Sequence, residues 1–303
     1  MEKRICFYHT DGDGFCSGAI VARYFNWDIE LRKYNYGNDF PWEIIDENTE
    51  VYMVDVSLDS VEQMFELKDR CLKLVWIDHE NIVDEYWEHY RKTQQKIEGP
   101  RPRELNSFAA CELTWYRLFG GEDMPKAVRL LGRYDIWDHC NPEVLEFQYG
   151  FRGMEDRDPA SVGGREFWES LFTKSMFFRR IVEDEILSRG RSIWDYIITQ
   201  NKSAAKFSFM TNIDDYPVLA CNAGGVNSYF FDSVLSEYPD ACAVMLFYFK
   251  GNHWIVNMFE IAGRKCPNLG EIAKKYGGGG RSVAAGFTWK KWKLPFYVPI
   301  NNS

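Results

Sequence analysis

At 303 residues the chain is long enough for two domains of ordinary size, each able to bury a proper core. Its 36 Lys+Arg against 45 Asp+Glu leave a net charge of −9, which argues against coating long duplexes by bulk cationic attraction and leaves only local basic sites. With 46% hydrophobic, 27% charged and 17% aromatic residues, the composition is that of a globular protein and not of a disordered chain.

In chain order, the first half alternates short β-rich runs with helical stretches. ICFYH (5–9) reads as a strand, Cys16 to Phe25 as a helix, and VYMVDV (51–56) and LVWID (74–78) as further strands. Helices follow near Asp84 to Lys96, Ser107 to Phe119 with Ser107 as N-cap, and Pro125 to Arg133 with proline in the first turn. Such alternation describes βαβ units and a parallel sheet. Residues 165–206 carry apolar positions at helical spacing, with Gly190 as the one obvious breaker, and read as long connecting helices. Strands return at YPVLACN (216–222), ACAVMLFYF (241–249) and HWIVNMFEI (253–261), followed by the glycine run 277–280 and the ending FTWKKWKLPFYV. This describes a second, smaller α/β domain.

The longest apolar run, residues 241–249, falls well short of the ~18 residues a membrane span needs. The opening MEKRICFYHTDGDG turns acidic and Gly-rich without the apolar stretch of a secretory signal. Eight cysteines (6, 16, 71, 111, 140, 221, 242, 266) are scattered with no CxxC pair, a pattern of reduced thiols and not of a disulfide framework or zinc ribbon. Together these features predict a cytoplasmic protein with no membrane partner.

In an open parallel sheet, ligands sit beyond the carboxyl ends of the strands. The acidic residues fall there. His9, Asp11 and Asp13 follow the first strand, Asp55 ends the second, and Asp78 and His79 end the third, so three strand tips offer carboxylates and imidazoles to one crevice. Clustered carboxylates are costly without a cation, and a mixed oxygen and imidazole set suits Mn²⁺ or a similar divalent ion. In His-x-Asp-x-Asp-Gly, alternate side chains point the same way while Gly12 and Gly14 let the loop turn tightly. A carboxylate such as Asp55 could bridge two ions about 3.5–4 Å apart, the separation used in phosphoryl transfer. Taken alone, HTDGDG also describes a surface turn or a calcium loop. His89 and His253 have no evident partners and read as surface or half-buried histidines. His139, beside Asp135 and Asp138 in RYDIWDH, reads equally as a solvated helix end or a site residue.

Five segments come in a telling order: HTDGDG (9–14), VDVS (54–57), IDHE (77–80), RYDIWD (133–138) and YGGGGRSVAAGF (276–287). In this the chain resembles the DHH phosphoesterases, a superfamily of short-oligonucleotide exonucleases (nano-RNases), single-strand exonucleases, cyclic-dinucleotide phosphodiesterases and a pyrophosphatase type. The resemblance implies a DHH-type metal-binding catalytic domain over 1–163, connecting helices over 164–206, and a DHH-associated substrate-binding domain over 207–303 across a cleft. It implies two Mn²⁺ ions, with Mg²⁺ or Co²⁺ as substitutes: one on His9, Asp11 and Asp55, the other on Asp13, Asp55, His79 and Asp135. Asp55 would bridge, Asp78 would orient the His79 imidazole, and Asp138 is the reserve for Asp135. The implied chemistry is in-line attack of activated water on phosphorus, with no covalent enzyme intermediate.

Two positions depart from the family pattern. Glu80 stands where the second motif histidine is expected to meet the scissile phosphate or leaving group, and a glutamate there repels phosphate unless neutralised. Arg281 ends the glycine run where the family has histidine; a guanidinium can grip phosphate oxygens, with Gly278, Gly279 and Gly280 allowing close approach. Phe259 stands where many relatives carry arginine and reads as a core ring or a base-stacking platform. The TWKKWKL ending reads as a protected edge strand, with single-strand stacking as the alternative. The resulting expectation is metal-dependent hydrolysis of short single-stranded oligonucleotides to nucleoside monophosphates. Alternatives are a cyclic-dinucleotide phosphodiesterase, a 3′,5′-bisphosphate nucleotide phosphatase, and a nucleotide-binding protein with impaired catalysis. A homodimer is compatible with the sequence.

Overall fold

The structure is a computed structural model that describes residues 3–100, 107–120, 123–226 and 228–298. The chain divides into two compact units, Met1–Trp194 and Asp195–Ser303. As expected from the alternating runs, both are mixtures of helix and sheet.

In the first unit β1 (Lys3–Tyr8) leads into α1 (Gly12–Tyr24), β2 (Glu30–Lys33), β3 (Thr49–Val54), α2 (Val61–Arg70), β4 (Lys73–Ile77) and α3 (Ile82–Thr93). The four strands are parallel in the order β2-β1-β3-β4. Because side chains alternate across a strand, one face buries Cys6, Tyr8, Tyr52, Val54, Val75 and Ile77, and the other Ile5, Phe7, Val51, Met53, Leu74 and Trp76. The first face packs on α1 and on α4 (Ala110–Phe119), α5 (Lys126–Asp135), α6 (Pro142–Arg152) and α7 (Gly164–Phe172); the second packs on α2 and α3. The strand order reverses between β1 and β3, and the crevice of such a sheet opens at that reversal, beyond the strands' carboxyl ends.

Several sequence expectations need correction here. Ser107 does not cap α4; the N-cap is Ala109, whose amide is accepted by Glu112 Oε2 at 3.2 Å. The amides of Ala110 and Cys111 are instead accepted by Asp13 of α1, so a distant carboxylate does the work of a local cap. Gly190 does not break a helix. It lies inside α8 (Met176–Ala204), and a Cβ there would sit 1.6 Å from the Glu146 carbonyl oxygen, while one at Gly150 would sit 1.9 Å from that of Ile186. The glycines let α6 and α8 cross backbone to backbone.

The second unit holds β5 (Phe209–Ile213), β6 (Tyr216–Asn222), β7 (Ala243–Lys250), β8 (His253–Glu260), α9 (Leu269–Lys275), β9 (Gly279–Gly280) and β10 (Ala284–Trp289). The sheet order is β5-β6-β7-β8-β10-β9, antiparallel except for β6 against β7. Separate apolar clusters cover its two faces, and half-buried Phe259 packs on the one formed by Leu219, Cys221, Val244 and Leu246. The TWKKWKL segment is not an edge strand: β10 ends at Trp289 between β8 and β9, and the Trp289 indole donates to the Lys293 carbonyl at 2.8 Å, turning the tail away. All eight cysteines are free. Among the described residues no helix is long and apolar enough to cross a membrane.

Candidate metal centre

Each strand tip delivers its groups through a specific local device. Asp11 is the N-cap of α1, its Oδ1 accepting the Gly14 amide at 2.9 Å, which turns its Oδ2 to His9 Nδ1, also at 2.9 Å. The turn from β1 into α1 is so tight that a Cβ at Gly14 would sit 2.3 Å from the His9 carbonyl oxygen. Asp13, in the first turn of α1, is fully buried and accepts the Ala110 and Cys111 amides at 2.9 and 2.7 Å.

Asp55 follows β3 with its amide bonded to the Ile77 carbonyl at 2.9 Å, and its φ of 57° is left-handed. That conformation is uncommon for any residue but glycine and marks a position held by its surroundings. Asp55 is 5% exposed, and its Oδ2 is buried without a hydrogen-bond partner. Beyond β4, the Asp78 carboxylate accepts the backbone amides of His79 and Glu80 at 2.7 and 3.0 Å and the Trp76 indole at 3.3 Å. It therefore fixes His79 through the main chain, where the sequence reading had it orienting the imidazole.

The outcome is two groups of donors. His9, Asp11 and Asp55 place one ligand atom each within 4.8 Å of one another, and so do Asp13, His79 and Asp135 from the end of α5. Asp55 lies between the groups: its Oδ2 is 3.7 Å from His9 Nδ1 and its Oδ1 3.5 Å from His79 Nε2. His79 Nε2 is also 3.1 Å from Asp135 and 3.7 Å from Asp13. All six residues expected to hold metal thus converge. Asp138 does not join them; it lies 3.6 Å from Arg133. His139 bonds the Tyr134 carbonyl at 3.1 Å and stacks on the Tyr134 ring, and burial lowers its imidazolium pKa. His89 faces Gln95, and His253 faces Asn252.

The electrostatics report excess negative charge. Burial, with the charges of Asp55 and Asp135, pushes the Asp13 carboxyl well above its ordinary range. Burial raises Asp55 to about 7 against the pull of His79 and His9. The hydrogen bond to Asp11 and the nearby Asp55 carboxylate lift His9 to about 10, and burial of His79 is outweighed by Asp135 and Asp55, which lift it to about 12. Protonated, the two imidazoles would offset part of this carboxylate charge. Hard carboxylate oxygens, two imidazoles and one orphaned buried oxygen fit divalent cations of the Mn²⁺ or Mg²⁺ class, whose arrival would displace those protons.

Beside Asp55 lies a cavity of about 270 Å³ lined by Tyr36, Ser57, Leu58, Asp59, Glu80, Asn81 and Ile82. Sequence reasoning singled out Glu80 but missed Tyr36, whose ring lies 6.0 Å from that of His9, and Ser57, whose hydroxyl is buried. Only Ser57 carried a signal, as the last residue of VDVS. The glycine run lies in the second unit. A Cβ at Gly278 would sit 2.1 Å from the Gly286 carbonyl oxygen and one at Gly280 2.5 Å from Ala285 Cα, so these two serve packing; at Gly279 the space is open, and Arg281 is exposed.

No family model matches the sequence, and no curated protein matches it. Solved structures do. The DHH domain of a member of a ribosomal protein family is 14% identical with a TM-score of 0.58, covering 95% of this chain and 83% of that one. RecJ from Thermus thermophilus in complex with Mn²⁺ is 14% identical with a TM-score of 0.48, covering 95% and 50%. The pGpG-specific phosphodiesterase PggH from Vibrio cholerae is 11% identical with a TM-score of 0.45, covering 95% and 93%. The first of these likenesses bears out the DHH-type fold expected from the sequence.

Proposed function

We propose that this DHH-type chain is a divalent-metal-dependent phosphoesterase that hydrolyses phosphodiester bonds of short single-stranded oligonucleotides to nucleoside monophosphates. The observation that carries the reading is the convergence of His9, Asp11, Asp13, Asp55, His79 and Asp135 around a buried, left-handed Asp55 with an unpartnered oxygen. His9, Asp11 and Asp55 would hold one Mn²⁺, and Asp13, Asp55, His79 and Asp135 a second, with Mg²⁺ or Co²⁺ able to substitute. Bound there, the cations supply Lewis acidity toward phosphate oxygens and a water acidic enough to attack phosphorus.

The chain's own residues set the geometry. Asp11 and Asp78 hold His9 and His79 in place while capping backbone amides, and Asp13 ties the site to the amino end of α4. Near-full burial of Asp13 and Asp55 keeps bulk water from the innermost ligands. In the neighbouring cavity, Glu80 and Asp59 favour hydrogen-bond donors of the substrate, hydroxyl or amino groups, and Tyr36 offers a ring for a base. Phosphate belongs on the cation side, away from Glu80. Gly279 and Arg281 are proposed as further substrate contacts, with Gly278 and Gly280 shaping the loop.

The test is a substrate panel with protein stripped by chelator and reloaded with Mn²⁺. Labelled two- to five-residue RNA and DNA should release nucleoside monophosphates only with metal, and faster than a cyclic dinucleotide or a 3′,5′-bisphosphate nucleotide is consumed. Intact oligonucleotides would refute the proposal. Tight nucleotide binding without turnover would instead assign a binding protein.

A further inference from the structure

At the opposite end of β4 from His79 lies a second cavity, of about 770 Å³, within the size range of small-molecule sites. Among the described residues four cationic side chains line it, Lys68, Lys73, Lys96 and Arg117, against one carboxylate, Glu98. In a chain of net charge −9 this is a local reversal of sign. Its apolar wall is Leu72, Leu74, Ile97 and Pro100, and α3 contributes the rings of Tyr86 and half-buried Trp87.

The wall is held in place by backbone contacts. The Trp76 amide donates to the Glu98 carbonyl at 2.8 Å, and Val75 and Glu98 form an isolated parallel bridge beside β4. The Tyr86 hydroxyl donates to the Ile97 carbonyl and accepts its amide, at 3.2 and 3.0 Å. Gly99, at φ 121°, lies so close to β4 that a Cβ would sit 2.1 Å from the Trp76 carbonyl oxygen. Glu98 is thereby fixed, and it engages Arg117 and, at 3.6 Å, Lys73. Lys68 lies over the Phe65 ring at 5.6 Å, and among the described residues neither Lys68 nor Lys96 has a carboxylate partner. Two cations beside an aromatic wall therefore remain for an outside anion.

We propose that this cavity is a second ligand site, for an anion that carries a planar ring, of the nucleoside diphosphate class: phosphates on Lys68 and Lys96, ring against Trp87. Arginine and lysine clusters bind phosphate through charge-assisted hydrogen bonds, and an indole supplies a stacking face. The cationic end of the site is separate from the metal centre, since β4 alone sets Lys73 roughly 15 Å from His79 at about 3.3 Å per residue. It does not depend on the hydrolytic reading.

The experiment is titration calorimetry of the full chain in chelator, with ADP as probe and pyrophosphate and adenosine as its two halves. ADP should bind wild type and Asp55→Asn alike and outbind each half by roughly tenfold or more, and Lys68→Glu/Lys96→Glu should weaken it by a similar factor. Lys68→Arg/Lys96→Arg should retain binding. The proposal fails if ADP gives no binding, if the double Glu variant binds as wild type does, if adenosine binds as tightly as ADP, or if Asp55→Asn abolishes binding. Oligonucleotide turnover decides the metal centre separately.

Discussion

Asp55 concentrates the physics of the metal centre in one residue: left-handed backbone, near-complete burial and an oxygen with no hydrogen bond. Folding alone gains little from such an arrangement, whereas a cation would compensate all of it. Asp55→Asn keeps a side chain that tolerates the left-handed region and removes the charge. Saturating Mn²⁺ should stabilise the wild type, by linkage about 2.7 kcal/mol for each ion at 100 times Kd, and so raise its thermal midpoint. The variant should show no such rise, and its turnover should fall to background. An unchanged Mn²⁺ response in Asp55→Asn would refute the two-ion scheme. Elsewhere, Asp158 accepts the Tyr8 hydroxyl at 2.7 Å and meets Lys33 at 2.9 Å; burial pushes its carboxyl up, but Lys33 and Tyr8 outweigh burial and hold it low. A depressed folded pKa means stability present above the unfolded value and lost as pH falls through the folded one. Asp158→Asn should therefore cost about 1 kcal/mol near neutrality, and the gap from wild type should close as pH drops below about 4 in thermal melts.

Among the elements, the crossing of α6 and α8 shows how an expectation from sequence can invert. Gly190→Ala puts a methyl where the Glu146 carbonyl already sits, so the helices must separate; a loss of about 1–3 kcal/mol is expected, read as a lower denaturation midpoint. Glycine in a helical pattern signals either a break or a close approach, and only the partner helix decides which. The strand tips were legible because period two and the switch-point rule together place His9, Asp11, Asp13, Asp55 and His79 at one end of a parallel sheet. Asp135 came from resemblance, since helical spacing within RYDIWD does not choose between it and Asp138. β2 and β5 went unread because ELRK and FMTNI are short and lack strict alternation. The capping of α4 by Asp13 was invisible for a different reason: the acceptor lies nearly a hundred residues before the helix it caps.

At the scale of the molecule, two units with separate apolar clusters invite separate unfolding. Calorimetry should resolve two transitions, with Mn²⁺ shifting only the one that belongs to Met1–Trp194, because every proposed ligand lies there. A single transition, or a shift of both, would count against independent cores. The division at Trp194 and Asp195 falls inside α8, whose helix runs without interruption from Met176 to Ala204. Proteases cut where chain is slack, at exposed loop tips, and a residue locked into a hydrogen-bonded helical turn presents no slack. Trypsin thus finds Arg189, Arg191 and Lys202 in a poor posture for cleavage, and limited digestion would not sever the halves at their own boundary.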